Sequence, residues 1–92
     1  MQNTAPATRT AAEAKLIIDG ILILLGFEEG SYIAGIRRSG AVNVVALDDE
    51  TDARLIENAD RIAEVSANAG SRFDLDTVKG FPVLTNLAAV RA

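Results

Sequence analysis

The chain has 92 residues, 49% of them hydrophobic, and a net charge of −4. Without a cysteine or a histidine it can form no disulfide or thiolate site, and it lacks the commonest general base and metal ligand near neutral pH. The acidic balance excludes a basic nucleic-acid footprint at the level of the whole chain.

Residues 1–10, with Asn, Thr, Ala and Pro6, read as a flexible or partner-held arm. Residues 11–92 read as a single small α+β domain. Its expected order is an N-terminal apolar helix, a central antiparallel β-hairpin, an amphipathic helix and a short C-terminal helix.

The first helix is expected over 11–25. Thr10 and Glu13 have capping-box spacing, and Ala11–Lys15 are strong helix formers. Gly26 suits the position just past the helix, with Phe27 folding back onto the last turn. Asp19-Gly20 between β-branched runs is also a hairpin signal. The capped ends and the Ala-rich lead-in favour the helix. Leu16–Leu25 is apolar nearly all round, which calls for burial. The apolar run is too short to span a membrane, for which roughly 20 residues are needed. It also begins too late, without a basic leader, for a signal peptide. Asp19 reads as a boundary residue paired with Lys15.

After the polar link Glu28-Glu29-Gly30, a hairpin is expected with strands 31–37 and 41–47. A three-residue loop, Arg38-Ser39-Gly40 with Gly40 left-handed, sorts the faces best. Tyr32, Ala34 and Ile36 then share an apolar face with Val42, Val44 and Ala46. Ile33, Gly35, Arg37, Asn43, Val45 and Leu47 make a mixed opposite face, part of it also expected to be covered. The second helix is expected over 50–69, capped by Asp49 and ended by Gly70. Leu55, Ile56, Ala59, Ile62, Ala63 and Ser66 form its inward stripe. Residues 71–80 read as a polar connector pinned by Phe73, Leu75 and Val78. Pro82 suits a first helical position, so a last short helix should face Leu84, Leu87, Ala88 and Val90 inward.

No constellation of catalytic residues stands out. The serines have no histidine to activate them, and no glycine falls in a phosphate-loop pattern. Asp48, Asp49, Glu50 and Asp52 are dense, but they lack the alternation of a Ca²⁺ loop. Helix capping accounts for them. No cofactor and no metal is implied.

One small domain cannot easily hide a helix on every side. The expected function is therefore that of a non-enzymatic structural or assembly protein. It would act through protein–protein contacts, as a homo-oligomer or with another protein, through an interface at Leu16, Gly20, Leu22, Ile23 and Phe27. A virion component fits by analogy, in the cytoplasm or within a particle assembled there, and not on a membrane. A second reading is a small regulator touching phosphate through Arg37 and Arg38 at the hairpin tip, where two arginines are more often plain solvated turn residues. A third is an acidic inhibitor presenting Asp52, Glu57, Asp60 and Glu64. Residues 48–64 hold seven acids and two arginines, so the remainder is nearly neutral and nucleic acid is the less favoured partner.

Overall fold

A computed structural model describes residues 10–86. They form α1 (Ala11–Leu24), β1 (Tyr32–Ile36), β2 (Val42–Ala46), α2 (Asp49–Glu57), α3 (Ala59–Asn68), β3 (Phe73–Val78) and β4 (Phe81–Asn86). Residues 1–9 of the arm, and the expected inward residues Leu87, Ala88 and Val90, lie outside the described residues.

The helical reading of the apolar stretch holds, and Asp19-Gly20 makes no hairpin. The Glu13 amide donates to Thr10 Oγ1 at 3.1 Å, and the Thr10 amide donates to Glu13 Oε1 at 3.0 Å. That reciprocal pair satisfies two amides at the helix start. At the other end Gly26 has φ +92°. Its amide donates to Ile23 O at 3.0 Å, and the Phe27 amide reaches back to Leu22 O at 2.9 Å. This Schellman closure turns Phe27 under the helix and into the core.

β1 and β2 pair in the expected register, Tyr32 with Ala46 and Ile36 with Val42. Gly40 has φ +94°, and the Arg37 amide donates to Ala41 O at 2.7 Å across the turn.

The second helix departs from expectation in two ways. Asp48, not Asp49, is its cap, accepting from the Thr51 amide at 2.8 Å. It also breaks at Asn58 into α2 and α3. The Asn58 side chain donates to Arg54 O at 2.8 Å, and such local side-chain bonds compete with regular helix. Leu55, Ile62, Ala63 and Ser66 point inward, whereas Ile56 is exposed.

The C-terminal part overturns the expected architecture. The polar connector is strand β3, and the expected short C-terminal helix is strand β4. Between them Lys79 and Gly80 both take positive φ, at 53° and 85°, as the favoured two-residue hairpin turn requires. Pro82 stands opposite Thr77, one position outside the ladder that joins β4 to β2 from Val83 onward. Its missing N–H therefore breaks no bond to β2.

The sheet order is β1-β2-β4-β3, and every neighbouring pair is antiparallel. The helices cover one face. Ala14, Ile18 and Leu22 of α1, with Leu55 and Ile62, pack on Val42, Val44, Phe73 and Leu84. Ser66 ties α3 to the sheet. Its hydroxyl donates to Ile62 O at 2.6 Å and accepts from the Phe73 amide at 2.8 Å, both in the buried interior.

Candidate interaction surface

Strand alternation sends the other half of the side chains to the face away from the helices. Ile33, Val45 and Val83 fall in one row across β1, β2 and β4. Phe81 pairs with Val78 in the next row, at the end where Leu47 leaves β2. Val83, in the middle, is buried, but Ile33, Val45, Leu47, Val78 and Phe81 are all exposed, Phe81 to 63% and Ile33 to 57%. None of them belongs to the core cluster beneath the helices. Toward the other end this face turns polar, with Asn43, Thr85 and Asp74 in one row.

A second apolar strip runs along the outside of α1. Leu16, Gly20, Ile23 and Leu24 are exposed there, Leu24 to 86%. Of the interface residues expected from sequence, Leu16, Gly20 and Ile23 thus lie at the surface. Leu22 and Phe27 do not. Leu22 is 0% exposed, and both sit in the core of their own chain. They cannot serve an interface, because the sheet and the helix closure already cover them. The open sheet face was the part that sequence reasoning missed. Its β1–β2 half was legible as a mixed face, but Val78 and Phe81 joined it only once residues 73–86 proved to be strands.

Between α1 and the outer edge of β1 lies an open cleft of about 240 Å³. Asp19 accepts there from Lys15 Nζ and from Tyr32 Oη, each at 3.3 Å. The Tyr32 phenol is pushed up to about 12, first by burial, then by the Asp19 carboxylate and its hydrogen bond, and last by Glu29. Each of these disfavours phenolate.

The arginines divide into engaged and free ones. Arg54 donates to Leu25 O and Gly26 O at 3.3 Å and lies 4.4 Å from the Phe27 ring centroid, holding the end of α1. Arg72 pairs with Asp74 at 2.8 Å. Arg37 and Arg38 are exposed at the β1–β2 turn and form no ion pair among the described residues. Asp48 is spent as a cap, and the Thr51 amide holds its carboxyl below the ordinary value. Among the described residues no group of three or more acids is placed to hold a metal ion. No described helix is long and apolar enough to cross a membrane. No family model matches the chain, and comparison with the curated proteins and with the solved structures finds no match.

Proposed function

We propose that this chain is a non-enzymatic structural or assembly component that works by protein–protein contact, with the open sheet face as its principal contact surface. It acts in the cytoplasm or in a particle assembled there, which the lack of cysteine suits. The observation that carries this reading is the cluster of Ile33, Val45, Leu47, Val78 and Phe81, spread over all four strands of the sheet and all exposed. Burying a side chain of this size gains about 1.5–3 kcal/mol. A contiguous patch of that kind marks an interaction site far more often than it marks idle surface. The polar end of the same face, at Asn43, Thr85 and Asp74, supplies hydrogen-bonding groups that set a partner's orientation.

The test is site-specific photocross-linking in cells that express the protein. A photoreactive phenylalanine analogue at position 81 should give a discrete protein adduct, whether to the same chain or to another. The analogue at Glu64, on the exposed side of α3, should give none. No adduct at position 81 would remove this reading.

A further inference from the structure

We propose that a second copy of this chain pairs with the outer edge of β1, antiparallel about a two-fold axis at Ala34, and continues the sheet across the dimer. The inference deepens the protein-contact reading and rests on it for biological purpose, but it concerns a different surface. The hydrogen-bond pattern places the axis. The Leu47 amide donates to Ser31 O and the Arg37 amide donates to Ala41 O. In an antiparallel ladder bonded pairs alternate with unbonded ones. Ile33 and Gly35 therefore spend their backbone groups on β2, the Ser31 carbonyl and the Arg37 amide are used just beyond its ends, and the Ser31 amide and Arg37 carbonyl are taken by Glu28 O and the Gly40 amide. Tyr32, Ala34 and Ile36 aim theirs outward, where no described strand lies. A second β1 centred on Ala34 sets Tyr32 opposite Ile36, Ala34 opposite Ala34 and Ile36 opposite Tyr32. All three outward positions are then paired.

The strand carries none of the usual guards against such pairing. Tyr32–Ile36 reads Tyr-Ile-Ala-Gly-Ile, without charge or proline. The other edge, β3, carries Asp74 and Asp76, which would repel a second copy of themselves. Charge also chooses the occupant of the β1 edge. Glu28 and Glu29 precede the strand, and Arg37 and Arg38 follow it. Antiparallel self-pairing brings Gly30 opposite Arg38, so each acidic end meets the partner's basic end. This gives Arg37 and Arg38 a counter-charge that no described residue of their own chain supplies. Side chains fit the same register. Ile36, half exposed, comes beside the partner's tyrosine, and aromatic–β-branched cross-strand pairs are favourable. Ile33 comes opposite Gly35, where a Cβ would meet nothing within 4 Å. The cleft beside the edge is lined by Lys15, Asp19 and Ile23 of α1, so the partner also covers Ile23.

The contact is small. A five-residue strand is roughly 17 Å long, and a sheet with its helix layer is roughly 20 Å deep. That gives a flat footprint on the order of 350 Å² per copy, under half the ~800 Å² per partner of a standard stable interface. The dimer is accordingly weak and reversible.

Sedimentation velocity on the purified full chain, from about 1 μM to about 1 mM, should show mass rising from 9.7 kDa toward twice that value. Amide exchange at Tyr32, Ala34 and Ile36 should slow as concentration rises. Ala34→Pro removes the N–H at the axis and none that β2 uses. It should weaken association at least about tenfold with the circular dichroism unchanged. Should that variant misfold, the charge pair decides. Arg38→Glu should weaken association, and adding Glu29→Arg to it should restore association. Neither residue is in the core. A monomer at every concentration with those three amides exchanging freely would overturn the proposal, and so would association indifferent to both Ala34→Pro and Arg38→Glu. The position-81 cross-link would stand or fall separately.

Discussion

Tyr32 is the one tyrosine in the chain, so its titration can be followed without interference. Its phenol is pushed from an ordinary value near 10 to about 12 in the fold. A group whose folded value is raised contributes stability that is complete below its unfolded value and lost as pH climbs through the folded one. This contribution is therefore complete below about pH 10 and disappears between about pH 10 and about pH 12. Tyr32→Phe should flatten the alkaline loss over that window. Tyrosinate absorbance in the native protein should rise only well above the value of a free phenol; an ordinary titration would refute the packing of Tyr32 against Asp19. Asp48 works with the opposite sign. Its lowered carboxyl favours the fold above the ordinary carboxylate range, and that help fades as pH falls through the folded value.

At the scale of elements, α1 separates two leucines that composition cannot tell apart. Leu22 is fully buried beneath the sheet side, and Leu24, two residues on, is mostly in solvent. Leu22→Ala should cost about 2–5 kcal/mol. Leu24→Ala should stay within about 0.5 kcal/mol. Urea unfolding of the two variants gives both numbers, and equal costs would mean that the helix is rotated about its axis. The start, end and glycine closure of α1 were legible because each rests on local chemistry: Thr10 with Glu13, and Gly26 with Phe27. The same holds for Gly40 in the β1–β2 turn. Which side of the helix faces water was not legible, since nearly every side is aliphatic and only the sheet decides. Residues 73–86 were misread for a related reason. Phe73, Leu75 and Thr77 alternate with Asp74 and Asp76, a strand pattern that the acids disguised as a polar connector. Pro82 resembles a helix start until Thr77 and the Lys79-Gly80 turn place it in a ladder.

Across the described residues, two local hairpins are joined by a single long-range ladder, β2 with β4. Strands bonded on both sides open last. Native-state hydrogen exchange should therefore find Val44 and Leu84 in the slowest group, released only by global unfolding. Fast exchange in β4 beside a slow β3 would contradict the strand order. The candidate surface was half legible for the same topological reason: its β1–β2 part is local, and its β4 part is brought in from far along the chain. That order also has a consequence in time. β4 lies between β2 and β3 but follows both in the chain. During synthesis the inner edge of β2 stays bare until residues 81–86 have emerged. At the usual rate of about 5–20 residues per second, the 40 positions from Ala46 to Asn86 take about 2–8 s. For those seconds the nascent chain leaves the inner edge of β2 open beside that of β1, whereas in the described sheet β4 covers it and the second edge is the acid-guarded one of β3. Neighbouring chains on one message then meet with that edge bare, so slowing translation is expected to raise the share that pair wrongly.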